Sequence, residues 1–63
     1  MNARVCVWLD RTSDEAGWIV SLDEDGSSHT VRVFSADASG RAEAVAYAER
    51  RAKVWNLPVE VAA

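Results

Sequence analysis

The chain has 63 residues, a formal net charge of −3 and one cysteine, so we expect a single small domain, 1–63, without an internal disulfide. One cysteine and one histidine are too few for a common protein metal site, and we expect no metal and no cofactor. The excess of acidic residues disfavours general affinity for nucleic acid, which depends on neutralising phosphates.

Three segments are rich in β-branched and aromatic residues, as is typical of strands, and the first of them also alternates with a period of two. They are residues 4–10, 18–22 and 29–35. Polar stretches that contain Gly17 and Gly26 separate them, and the second favours a tight turn because glycine accepts positive φ. Such short connections predict an antiparallel meander.

A helix is predicted over residues 41–55, where neither glycine nor proline interrupts the chain. Three residues are suitable caps for its first turn, and the sequence does not choose between them: Asp37, Ser39 and Gly40. One apolar stripe runs along it at three- and four-residue spacing: Ala44, Val45, Ala48, Ala52 and Trp55. The alanines make this stripe flat, and we expect the tryptophan to fill the space at one end.

The chain after the helix predicts a stop and a short fourth strand. Asn56 suits a left-handed cap, and Pro58 prevents continuation. Residues 59–61 are strand-like, and beside the first strand they would give the order 3-2-1-4. The predicted fold class is therefore α+β, a three-stranded antiparallel meander with one helix on one face and a short C-terminal strand.

Alternation along the strands assigns each side chain to one of two faces. The face under the helix would carry Val5, Val7, Leu9, Trp18, Val20, Leu22, Val31 and Val33. The other face would carry Cys6, Trp8, Ile19, Arg32 and Phe34. Because an exposed apolar and aromatic patch is typical of an interaction site, this second set is the predicted partner-binding surface. The alternative is a shifted register, or a bulge that redirects Trp8 or Phe34.

The helix offers an alternative binding face. Its residues are expected to lie opposite the alanine stripe: Tyr47, Arg50, Arg51 and Val54. Scattered apolar residues on a surface are also normal and need no partner.

Catalytic motifs are not evident. Cys6 as a nucleophile would require a neighbouring base, and His29 is the one histidine. A packed cysteine and an exposed histidine are the favoured interpretations. We find no glycine-rich phosphate loop and no Gly-x-Ser-x-Gly motif, so we expect that the protein is not an enzyme.

Residues 17–52 resemble the arm-type DNA-binding domain of phage integrases. The shared features are Gly17-Trp18-Ile19-Val20, Gly26, Val31-Arg32-Val33-Phe34, and Glu43-Ala44 with Ala48. This resemblance implies a three-stranded sheet that lies in a DNA groove. The order of elements over residues 4–61 is also similar to HicB-type antitoxins, and that similarity implies binding of a protein through sheet and helix.

The leading hypothesis is a small non-enzymatic interaction module that forms a homodimer or binds a protein through the second sheet face. A chain this short buries only about 60% of the surface that its unfolded form exposes, and a second copy is a common remedy. The alternative is a nucleic-acid-binding module of the integrase arm type. It would use Arg4, Arg11 and Arg32 on the sheet, or Arg50, Arg51 and Lys53 on the helix.

Composition also predicts a location and a source. A lone thiol, no signal peptide and no apolar run of about 20 residues favour a soluble cytoplasmic protein with no membrane partner. Arginine outnumbers lysine six to one and alanine is abundant, which is typical of a GC-rich genome and suggests a bacterial or phage accessory protein.

Overall fold

The computed structural model describes residues 2–12 and 16–62. Five elements follow one another along the chain: β1 (Ala3–Asp10), β2 (Gly17–Glu24), β3 (Ser27–Ser35), α1 (Ala38–Trp55) and β4 (Val59–Val61). The observed elements begin up to three residues earlier than predicted. Part of the predicted loop between the first two strands, residues 13–15, lies outside the described residues.

The strands form one sheet in the order β3-β2-β1-β4. β1 and β3 are each antiparallel to β2, whereas β4 runs parallel to β1. A parallel neighbour needs a long crossover connection, and α1 supplies it. The predicted α+β class, the element order and the position of the fourth strand are all confirmed.

The core lies between α1 and one face of the sheet. Ala44 and Ala48 are fully buried and Ala52 is nearly so, and they form one cluster with Val5, Val7, Trp18 and Val20. Because an alanine side chain is a single methyl group, the helix lies close to the strands. Trp55 does not fill the end of this core as expected: it remains partly exposed, and Leu57 packs against the cluster instead.

Asp37 caps the helix, which settles the choice that the sequence left open. Its Oδ1 accepts the backbone N–H of Gly40 at 2.7 Å and the hydroxyl of Ser35 at 3.0 Å. At the other end Asn56 is left-handed, with φ of 56°, and the N–H of Leu57 donates to the carbonyl of Ala52 at 2.9 Å. The predicted left-handed cap is confirmed.

This cap predicts a dependence of stability on pH. The pKa of the Asp37 carboxyl is lowered, chiefly by the Gly40 N–H and next by the Ser35 hydroxyl. A carboxyl whose pKa is lower in the folded state stabilises the protein above its unfolded pKa of about 3.9, and this stabilisation disappears as the pH falls through the folded pKa. We expect Asp37→Asn, which keeps an acceptor for the cap, to lose less stability than the wild type between about pH 5 and about pH 2.

Urea denaturation at several pH values measures this difference. The other described carboxyls with lowered pKa, Asp10 and Asp23, titrate in both proteins, so the variant isolates the cap. Identical pH profiles for the two proteins would show that the Asp37 charge does not contribute.

An irregularity in β3 corrects the predicted faces. Val20 pairs with Arg32, but the next residue of β2, Ser21, pairs with Thr30, so Val31 is an extra residue, a β-bulge. One extra residue reverses the alternation of all that follow. Arg32 and Phe34 therefore lie on the helix side of the sheet and Val33 on the other, the reverse of the prediction.

Candidate functional surfaces

The side of the sheet away from α1, which we call the open face, carries one apolar row across three strands. Trp8 pairs with Ile19, and Ile19 pairs with Val33. The two ends of the row are accessible, since Trp8 is 37% and Val33 50% exposed, whereas Ile19 between them is buried. The open face is thus apolar along one row rather than over its whole area.

Polar side chains beside this row are already hydrogen-bonded to one another. Asp23 accepts the hydroxyls of Ser21 at 3.0 Å and Ser28 at 2.9 Å, and the thiol of Cys6 lies 3.4 Å from its second oxygen. The pKa of the Asp23 carboxyl is lowered, first by the Ser28 hydroxyl. At the sheet end Arg4 pairs with Glu60 at 3.1 Å. These groups therefore do not require a charged partner.

Trp8 is held in place by the same network. Its indole N–H donates to the Ser21 hydroxyl at 3.2 Å. Ser21 has no exposed surface, although no helix of residues 2–12 and 16–62 covers this face. The indole thus spans β1 and β2 and shields the serine. Only the outer side of the ring remains for a partner, and that side is presented in a fixed orientation.

The predicted partner-binding set divides between the two faces. Cys6, Trp8 and Ile19 lie on the open face, whereas Arg32 and Phe34 lie under the helix because of the bulge. The predicted partner-binding set left out three residues of the open face: Val33, Ser21 and Asp23. The pairing of β1 with β2 could have revealed the latter two, because Ser21 stands opposite Cys6 and Asp23 opposite Arg4.

Arg32 belongs to the second candidate surface, which we call the arginine cluster: Arg32, Arg50 and Arg51 around Tyr47. The guanidinium carbons lie 5.4, 6.0 and 5.3 Å from the centre of the tyrosine ring. The Nε of Arg51 also donates to the tyrosine hydroxyl at 3.1 Å. Three cations from two elements thus converge on one ring.

Tyr47 is anchored by the sheet and does not lie opposite the alanine stripe as predicted. Its ring packs on Phe34, with centroids 5.6 Å apart and planes at 58°, and both residues contact the core. Such tilted pairs are a favourable aromatic geometry. Val54, from the same predicted set, is 75% exposed.

The positive charge of the arginine cluster is not neutralised by its neighbours. Within residues 2–12 and 16–62, no carboxylate oxygen lies within 4.0 Å of a guanidinium nitrogen of Arg32, Arg50 or Arg51. Trp55, with 36% of its surface exposed, lies beside the cluster at 5.9 Å from the Arg51 guanidinium carbon. The cluster therefore combines uncompensated charge with an accessible aromatic ring.

The nucleophile and base that a catalytic interpretation needs do not meet. Cys6 pairs with Ser21 and His29 with Leu22, so strand alternation places them on opposite faces. The pKa of the Cys6 thiol is raised, chiefly by burial and then by Asp23, which opposes formation of the reactive thiolate. Among the described residues, no group of three metal-ligating side chains is close enough to hold an ion.

Comparison of the chain with protein-family models, with curated proteins and with solved structures gives no significant match. In the described part of the chain, no helix has the length and apolar character needed to cross a membrane. The open face and the arginine cluster are thus the two candidate binding surfaces of the described chain.

Proposed function

We propose that the protein is a small non-enzymatic interaction module that self-associates through its open face. The observation that carries the proposal is the apolar row of Trp8, Ile19 and Val33, which no second helix covers in the described part of the chain. When a partner removes exposed apolar surface of this kind from water, the complex is stabilised by about 25 cal/mol per Å².

A second copy is the occupant that fits this row. The row is uncharged, and the polar groups beside it are satisfied within the chain, so an identical uncharged row is a suitable counterpart. Sheets that pack face to face interdigitate such rows. A symmetric contact also places each side chain in the interface twice.

The size of the face indicates weak association. Strands about 4.8 Å apart and about eight residues long present roughly 450 Å² of sheet, whereas stable interfaces bury about 800 Å² on each partner. We therefore expect a dimer that dissociates on dilution rather than a permanent one.

Sedimentation equilibrium at several concentrations tests the proposal. The wild-type mass should rise above 6.9 kDa as concentration increases. We expect Val33→Lys to remain monomeric, because a symmetric contact would then bury two lysine charges without partners. Val33 is half exposed and makes no side-chain hydrogen bond, so the variant should fold normally. Trp8 is less suitable, since its removal would also uncover Ser21.

Val54→Lys is the matched control, because it makes the same change of residue and charge at an exposed position on α1. It should associate as the wild type does. A wild-type protein that stays monomeric at the highest concentration would refute self-association. An equal loss of self-association in Val33→Lys and Val54→Lys would show that net charge, and not the open face, governs the association.

A further inference from the structure

We propose that the arginine cluster binds the phosphates of an unpaired nucleotide strand, with a base placed against Trp55. This site is separate from the open face and does not depend on self-association. It would make the helix side of the protein a single-stranded nucleic-acid-binding surface.

The arrangement of the arginines suits phosphate. All three guanidinium carbons lie within 6.0 Å of one ring centre, so their charges can act on up to three neighbouring phosphates of one strand. Guanidinium presents a planar fork of donors that matches phosphate oxygens in pairs. Arg51 is already oriented by its bond to Tyr47, so less side-chain freedom is lost on binding.

The charge of the cluster is available for a ligand. Among the described residues its arginines have no carboxylate partner, although the whole chain has a net charge of −3. Most of the acidic side chains lie in residues 1–37, whereas residues 38–63 hold four basic and three acidic residues. The net negative charge of the whole chain therefore does not mean that the arginine cluster is negatively charged.

The neighbouring aromatic ring favours a nucleotide over an acidic peptide. Tyr47, Arg51 and Trp55 are spaced by four along α1 and thus form one row, with a rise of about 6 Å at each step. A base stacks on an exposed aromatic ring beside a bound phosphate, whatever its sequence. In a duplex the base faces are already stacked on each other, so the strand must be unpaired.

Fluorescence anisotropy with a labelled oligothymidylate of about ten nucleotides tests the proposal. We expect binding at about 50 mM salt, and a slope of about −2 for log affinity against log salt, since each of three neutralised phosphates contributes about −0.7. Affinity should then fall about 20-fold between about 50 and about 200 mM salt. The same oligonucleotide annealed to its complement should bind more weakly.

Variants locate the site. Arg50→Gln and Arg32→Gln should each weaken binding at least about tenfold, and each should make the salt slope less steep by about 0.7. Trp55→Leu should weaken binding at least about fivefold. Arg41→Gln is the control: it makes the same change of charge on α1 but lies outside the cluster, beside Trp18. Its affinity should stay within about twofold of the wild type.

Three results would overturn the inference. The first is the absence of binding at low salt. The second is an equal loss of affinity in Arg41→Gln, which would mean that net charge alone attracts the strand. The third is equal or tighter binding of a polyglutamate peptide of the same charge, which would assign the cluster to an acidic protein segment.

Val33→Lys should bind the oligonucleotide at least as tightly as the wild type, because the substitution lies on the open face. A failure of self-association is therefore distinguishable from a failure of oligonucleotide binding.

Discussion

Gly40→Ala is expected to destabilise the fold by at least about 3 kcal/mol, a large share of the roughly 3–9 kcal/mol typical of a domain of this length. Gly40 is buried in the first turn of α1 against the end of β3. A Cβ at this position would overlap the carbonyl oxygen of Ser35 and lie 2.6 Å from its carbonyl carbon. These are backbone atoms, so a rotamer change cannot relieve the overlap. The helix and the strand must separate.

The direction of the stability change in Gly40→Ala identifies its cause. Alanine normally stabilises a helix interior by about 1 kcal/mol relative to glycine, so a large loss would identify the close approach of α1 to β3 as its cause. Urea denaturation followed by tryptophan fluorescence measures it. Ser39→Ala, on the exposed side of the same turn, should change stability by less than about 0.5 kcal/mol. A Gly40→Ala protein as stable as the wild type would contradict the observed packing.

Ala48→Leu should have the second largest effect, a loss of about 2–3 kcal/mol. Ala48 is fully buried in the middle of the alanine stripe, in one cluster with Val7 and Val20. Leucine adds three carbon atoms where the helix already contacts the strands. To accommodate them α1 must move away from the sheet, and the packing of its neighbour Tyr47 on Phe34 is lost with it.

Ala46→Leu provides the control, since Ala46 is exposed on the same helix. Alanine and leucine are both strong helix formers, so the free energy of unfolding of Ala46→Leu should be within about 0.5 kcal/mol of the wild-type value. Thermal unfolding followed by circular dichroism compares the two. If Ala48→Leu were equally stable, the helix would lie further from the sheet than the structure indicates.

The element order was predictable because its signals are local. Runs of β-branched and aromatic residues between polar turns mark the strands, the alanine spacing marks the buried face of α1, and Asn56 with Pro58 marks its end. The choice of Asp37 as the N-cap could not be predicted, because Ser39 and Gly40 are also residue types that are common at this position. The structure resolves the choice through a tertiary contact: Gly40 is needed where α1 meets Ser35, and it can then donate to Asp37.

The composition of the candidate surfaces could be predicted only in part. Cys6, Trp8 and Ile19 follow from simple alternation. Val31, Arg32 and Val33 alternate as in a regular strand, so nothing in those three residues shows that the first of them is a bulge. In the structure Phe34 packs on Tyr47, a contact between residues 13 positions apart that a period of two does not encode.

The bulge at Val31 has a consequence for solubility. β3 is an edge strand of nine residues, and its outer backbone groups have no strand partner within the described part of the chain. A long regular edge is a template for pairing with other chains. The bulge divides this edge into two short stretches on either side of residue 31, whose backbone groups no longer follow one ladder. The bulge that brings Arg32 to the arginine cluster thus also opposes the pairing of β3 with strands of other chains.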